Sequence, residues 1–362
     1  MAKKSFSQKL LCWYDKAGRK DLPWQKNPVA YRVWVSEIML QQTQVATVIP
    51  YYKRFMHSFP NLKQLAPAEQ DDVLHHWTGL GYYARARNMH KAAQVVFNEH
   101  KGRFPVTLDE VLALPGIGRS TAGAILALSQ QQRLPILDGN VKRVLCRMFA
   151  IEGWPDSPAT QKQLWPLAEK LLPQKRMRDY TQAIMDLGAT VCTRSAVKCH
   201  DCPMISECEA YKTARVYELP HKKPKTKQPV KTTCMLIIKN HNNEILLEKR
   251  PPAGIWGGLW SFPECDLDQN PEQWCQQQLG FNLEQIHSYP VMRHTFSHFH
   301  LDITAVTLVL DKKNNHKLAN YQFRVMESGS KLWYNTDSDR KLGFAAPVKQ
   351  LLRSIMFDLN YS

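Results

Sequence analysis

The segment Leu114-Pro115-Gly116-Ile117-Gly118 runs into Arg119-Ser120-Thr121-Ala122, and Asp138 follows twenty residues after Gly118 within Leu137-Asp138-Gly139-Asn140-Val141. Two glycines in a turn that feeds a helix N-terminus expose backbone N–H groups able to hold a phosphate, with a carboxylate in reach. The combination suggests chemistry on a nucleic acid, although a tight helix–helix turn with a capping aspartate reads the same way. A second constellation is Cys192, Cys199, Cys202 and Cys208, spaced C-x6-C-x2-C-x5-C. The chain has nine cysteines in all, and an odd number argues against a disulfide framework, so four thiols this close point to a metal. Sulfur ligation leaves zinc and an iron–sulfur cluster both open. The long first gap suits a cluster loop better than paired zinc knuckles. Arg194, Lys198 and Lys212 add positive charge that could face a phosphate backbone.

The elements that must position these residues follow from periodicity. Apolar residues recur at helical spacing from about Phe6 to Leu187, as in Met89, Ala93, Val96 and Phe97, with glycine and proline punctuating the segments. The charged, proline-rich stretch Pro220 to Pro229 reads as a linker. Beyond it, Thr232–Lys239 and Ile245–Glu248 flank Asn240-His241-Asn242-Asn243 as a β-hairpin, and Phe299, Leu301, Ile303 and Ala305 alternate as in a strand. Helical spacing returns at Val348, Leu351, Leu352, Ile355 and Met356. The expectation is a mainly α N-terminal domain over residues 1–219 carrying the cysteine loop at 192–208, a linker over 220–231, and a small α+β domain over 232–362. A length of 362 residues and 44% hydrophobic content suit two ordinary cores. Forty-eight Lys and Arg against thirty-two Asp and Glu give a formal charge of +16, which attracts polyanions. No run of about eighteen apolar residues and no signal-peptide core is present, so the expected location is the cytoplasm, with no membrane partner.

The glycine hairpin, Asp138 and the cysteine quartet together resemble the helix-hairpin-helix glycosylases related to endonuclease III. Trp34-Val35-Ser36-Glu37-Ile38-Met39-Leu40-Gln41-Gln42-Thr43, Trp77-Thr78-Gly79-Leu80-Gly81-Tyr82-Tyr83 and Phe296-Ser297-His298 narrow the resemblance to the adenine-removing branch, from about Phe6 to Leu352. It implies a helix-hairpin-helix fold with an iron–sulfur loop, a [4Fe-4S] cluster on the four cysteines, and a bacterial monomer of base excision repair. Its partner would be double-stranded DNA, from which it removes adenine mispaired with 8-oxoguanine or guanine. By the same resemblance Glu37 is the general acid at the adenine ring, Asp138 the aspartate at the sugar, and Asn140 their polar neighbour. Gln41, Gln42, Thr43, Leu80 and Tyr82 match the intercalating and opposite-base contacts.

The residues suit this chemistry on their own terms. Cleaving an N-glycosidic bond needs a proton on the leaving base and an anion facing an oxocarbenium-like sugar, hence two carboxylates in opposite ionisation states. Glu37, among Trp34, Ile38 and Leu40, is expected to be desolvated and protonated. Asp138, beside Asn140, is expected to be held ionised by N–H donors. Relatives that also cut the strand place a lysine where Ser120 stands, and a hydroxyl cannot form a Schiff base. Base excision that leaves an intact abasic site is expected, with Gly116, Gly118 and Ser120 at the DNA backbone and Lys142 as a phosphate contact. Extruding the base opens a hole that a side chain must fill. Gly258-Leu259-Trp260-Ser261-Phe262-Pro263-Glu264 resembles the opening of a Nudix box, but Glu272-Gln273-Trp274-Cys275-Gln276-Gln277-Gln278 lacks the carboxylates a Mg²⁺ site needs. A Nudix-like recognition domain without hydrolysis is expected, with Phe296, Ser297 and His298 reading 8-oxoguanine. The rival readings are an endonuclease III-type glycosylase/lyase, a cluster-bearing DNA-binding redox sensor without catalysis, and a Nudix phosphohydrolase.

Overall fold

The computed structural model of the chain describes residues 5–224, 227–280, 282–310, 329–336, 338 and 340–359. The chain divides into two compact units, Met1–Ala68 with Arg85–Lys225, and Glu69–Ala84 with Thr226–Ser362. Residues 69–84 therefore group with the C-terminal part, where the sequence reading had placed them in the first domain. The reason lies in polar contacts that periodicity does not carry. Asp71 pairs with Lys249 at 2.8 Å and accepts from Trp260 Nε1 at 3.1 Å, and the Tyr83 hydroxyl donates to the Phe344 carbonyl at 2.9 Å.

In chain order the helices are α1 (Phe6–Ala17), α2 (Ala30–Leu40), α3 (Val45–Ser58), α4 (Leu62–Leu65), α5 (Gln70–Trp77), α6 (Ala84–Glu99), α7 (Leu108–Ala113), α8 (Arg119–Gln130), α9 (Gly139–Met148), α10 (Pro158–Lys170), α11 (Met177–Asp186), α12 (Glu209–Lys212), α13 (Pro271–Leu279) and α14 (Ala346–Leu359). Of these, α5, α13 and α14 lie in the second unit. Their starts are encoded locally. Ser5 and Thr107 form capping boxes with Gln8 and Glu110, which satisfies otherwise orphaned N–H groups. Asp138 caps α9 by accepting from the Val141 N–H at 2.8 Å.

The first unit is built around α2 and α8, which pack together and are apolar nearly all round. Val33, Trp34, Val35, Ile38 and Met39 of α2 are buried, as are Ala122, Ala124, Ile125, Leu126 and Ala127 of α8. Each fully buried large side chain contributes roughly 1.5–3 kcal/mol. The small residues of α8 let the two helix backbones approach. The turn from α7 to α8 demands glycine at Gly116, whose φ is +79° and whose Cβ would come within 2.7 Å of Asn88 Cβ.

In the second unit the described strands are β1 (Val230–Lys239), β2 (Ile245–Lys249), β3 (Trp260–Ser261), β4 (Glu264–Cys265), β5 (Leu283–Thr295), β6 (His300–Leu310) and β7 (Lys331–Tyr334). They form one sheet of order β3-β2-β1-β6-β5, with β4 also on β1 and β7 also on β2. The β1–β2 hairpin closes where the Asn240 Oδ1 accepts from the Asn242 and Glu244 N–H groups, both at 2.9 Å. β1 and β6 run parallel, from Val230 opposite His300 to Lys239 opposite Val309. Cys234, Leu236, Ile238, Leu308, Cys275 and Leu279 form the core between the sheet and α13. Val348, Leu351, Leu352 and Ile355 of α14 are buried at the expected spacing.

Candidate active site

Glu37, on the last turn of α2, and Asp138, at the head of α9, line one cavity of about 1,040 Å³ in the first unit. Burial pushes the Glu37 carboxyl up to about 8, and the negative charge of Asp138 adds to the shift. Both side chains retain partial exposure because they face the cavity, yet both are recessed enough for desolvation to dominate. Asp138 is also raised above its ordinary value by burial, against the opposing pull of the Val141 N–H, the Asn140 side chain and the Arg143 guanidinium. The expected N–H donors are present at Asp138, although burial outweighs them. The two carboxyls titrate as a coupled pair, in which Asp138 has donors and Glu37 has none of these aids, so the first proton to leave is that of Asp138.

Asp138 is fixed by a chain of polar contacts. The Asn140 amide donates to Asp138 Oδ2 at 3.0 Å, and Arg143 donates to Asn140 Oδ1 at 2.8 Å. Arg143 in turn donates to the carbonyls of Gly188 at 2.6 Å and Cys192 at 2.7 Å. Gly188 belongs to the π-helical turn Leu187–Val191, and a Cβ there would meet Asn140 Cβ at 2.6 Å, so a side chain is excluded by the close approach of α9. Ser120 Oγ accepts from the Leu137 N–H at 2.9 Å, which ties the start of α8 to the residue before Asp138.

Other residues singled out from the sequence meet at the same cavity. Gln41, Gln42, Thr43, Ser120 and Asn140 line it with the two carboxyls. Gln42 is exposed with φ at +56°, which turns it outward past the end of α2. Lys142 does not line the cavity; its ammonium sits on Asp156. Gly116 and Gly118 stand exposed in the α7–α8 turn. In the second unit Tyr82 is 50% exposed with φ at +49°, whereas Leu80 is 6% exposed. Phe296, Ser297 and His298 form the turn between β5 and β6, with Ser297 and His298 exposed.

Cys192, Cys199, Cys202 and Cys208 ring a second, much smaller cavity, of about 30 Å³, with the buried Arg147 beside them. Arg147 donates to the Cys192 sulfur at 3.3 Å and to the carbonyls of Thr193 and Leu219. The four sulfurs face one small apolar space, and a buried guanidinium beside them suits the negative charge that thiolate ligation brings.

Several residues in and around the cavity escaped the sequence reading. Arg19 is held by Asp186, which accepts from its Nε at 3.0 Å and Nη2 at 2.6 Å, and Gln182 donates to the same carboxylate at 2.8 Å. The Arg19–Asp186 partnership crosses 167 positions, so no local spacing announces it. Arg85 donates to the carbonyls of Ile38, Met39 and Gln41 and so caps α2 just beyond Glu37. Arg143 alone carried a signal, a cation three residues from Asn140 on the same helix.

Residues 35–170 match the family described as HhH-GPD superfamily base excision DNA repair protein, and residues 234–354 match the NUDIX domain. The chain is 40% identical to an adenine DNA glycosylase of Buchnera aphidicola subsp. Acyrthosiphon pisum, covering 98% of each chain. It is 35% identical to the adenine DNA glycosylase of Mus musculus, covering 85% of this chain and 71% of the mouse protein. Among solved structures a thermostable thymine-DNA glycosylase superposes with a TM-score of 0.53 at 28% identity, over 57% of this chain and 95% of the other.

Proposed function

Because the chain belongs to the adenine DNA glycosylases, hydrolases of N-glycosyl bonds in base excision repair, we propose that it takes adenine mispaired with 8-oxoguanine or guanine into the Glu37–Asp138 cavity. The reading is carried by one observation, two recessed carboxyls lining the same cavity, with N–H donors gathered on Asp138. An extruded adenosine fits a cavity of about 1,040 Å³. Glu37, neutral at physiological pH, gives its proton to the adenine ring as the bond from the sugar to nitrogen breaks and its electron pair leaves with the base. Asp138, oriented by Asn140 and Arg143, faces the cation that develops on the sugar until water adds. Ser120 offers no amine, so the strand stays whole.

The four cysteines around Arg147 are read as the ligands of a [4Fe-4S] cluster. When bound, the cluster cross-links the 192–208 segment, whose carbonyls at Cys192 and Thr193 receive Arg143 and Arg147. Gln42 and Tyr82, both held outward by left-handed backbone, are read as the residues that enter the base stack. Phe296, Ser297 and His298 are read as the lesion-reading turn.

The test is single-turnover excision on duplexes with adenine opposite 8-oxoguanine, guanine, cytosine or thymine. Excision opposite the first two is expected to dominate. Asp138→Asn should lower the rate by about a thousandfold or more while mispair binding stays within a few-fold, because its charge matters only in the transition state. Equal loss of binding and rate would remove Asp138 from the chemistry.

A further inference from the structure

The second unit holds a stack of rings that the excision chemistry does not use. Trp256 is buried with φ at +52°, a left-handed backbone that is costly for so bulky a side chain and persists only where packing enforces it. Its ring meets His294 edge-on at 5.5 Å and lies tilted on Phe296 at 5.7 Å. Phe296 stacks on Phe299 at 4.4 Å and 17°, and His298 meets Phe299 at 4.8 Å. The Phe296 N–H donates to the Phe299 carbonyl at 2.9 Å, closing the β5–β6 turn above these rings. Burial lowers the pKa of His294, so its ring packs here as a neutral aromatic.

Ser297 and His298 are the exposed tip of this turn. Beneath the tip, rings hold the two phenylalanines, and Trp256 closes the stack from a separate segment of the chain. A hydrogen-bonding tip discriminates only if its donors and acceptors are fixed to a fraction of an ångström. The segment that carries Trp256 immediately precedes the Nudix-like opening at Gly258, in a domain without the glutamate cluster for Mg²⁺, so here it serves as scaffold.

We propose that Trp256 is a positioning residue for the Ser297–His298 tip and thereby sets how strongly the enzyme prefers 8-oxoguanine over guanine opposite adenine. This inference rests on the reading of that turn as the lesion-reading element. The readout is the ratio of single-turnover excision opposite 8-oxoguanine to that opposite guanine, measured at subsaturating enzyme. Trp256→Ala should lower the ratio about three- to tenfold, the scale of one aromatic contact. Trp256→Phe should recover most of it. Trp256→Ala added to Ser297→Ala/His298→Ala should lower it no further, because the ring acts through those side chains. Trp256→Leu keeps the test available if the alanine variant does not fold. An unchanged ratio in a folded Trp256 variant, beside a lowered one in Ser297→Ala/His298→Ala, would overturn the inference and leave the turn's role standing. If Ser297→Ala/His298→Ala also leaves the ratio unchanged, the turn does not read the lesion and the inference fails with it.

Discussion

Glu37 carries the clearest conflict between stability and chemistry. The native protein keeps the Glu37 proton up to about pH 8, whereas the unfolded chain releases it near 4.5, the ordinary value for glutamate. The native state therefore binds more protons across that window, and stability falls as pH rises from about 4.5 to 8. Glu37→Gln removes the titrating group, so at pH 8 it should be more stable than the parent by on the order of 1–3 kcal/mol, with the gap closing toward pH 5. Urea midpoints across this range measure it, and a variant no more stable at pH 8 would contradict the burial of the carboxyl. The same variant should lose excision by about a hundredfold or more, and the parent's rate should fall above about pH 8. The desolvation was legible in the sequence, because Trp34 and Ile38 flank Glu37 on an apolar helix. The second cause, the charge of Asp138, was not, since it requires knowing that α2 and α9 meet. The donors at Asp138 were legible from Asn140, but the burial that outweighs them is a property of the folded cavity.

At the scale of elements, the head of α9 is held by the π-helical turn at Leu187–Val191. Gly188→Ala would force its methyl to 2.6 Å from Asn140 Cβ and 3.0 Å from the Asn140 backbone, so the helix head that carries Asp138 must move. A displacement approaching 1 Å at a reacting group costs up to about a hundredfold. Single-turnover excision by Gly188→Ala should fall about ten- to a hundredfold with iron content unchanged; a rate within twofold of the parent would show that the turn does not brace the aspartate. A long helix with regular apolar spacing, such as α6, could be read directly from the sequence, as could the β1–β2 hairpin at Asn240. The π-helical turn could not, because its extra residue per turn leaves no periodic trace over five positions. Nor could β5, whose register shifts between Gln285 and His287 and between Tyr289 and Met292 break the alternation that marks a strand. Residues 69–84 illustrate the same limit, since their helical pattern gives no sign that Asp71 and Tyr83 bind Lys249 and Phe344.

For the whole molecule, a formal charge of +16 separates how DNA is captured from how it is cut. Exposed Lys and Arg act on phosphates through solvent, where the field decays over about 8 Å at physiological salt. Glu37 and Asp138 interact within a recessed cavity, where screening by mobile ions is weaker than at the surface. If about six phosphates are neutralised on binding, the affinity for duplex DNA should fall by a factor on the order of a thousand between about 50 and 200 mM salt. Over the same range, the single-turnover rate at saturating enzyme should change less than about twofold, because the bound complex has already released its counterions. Fluorescence anisotropy and quenched-flow excision on one duplex measure the two quantities side by side. A rate that declines in step with affinity would mean that the carboxyl pair is open to solvent ions, and the partition of protons between Glu37 and Asp138 would then lose its physical basis.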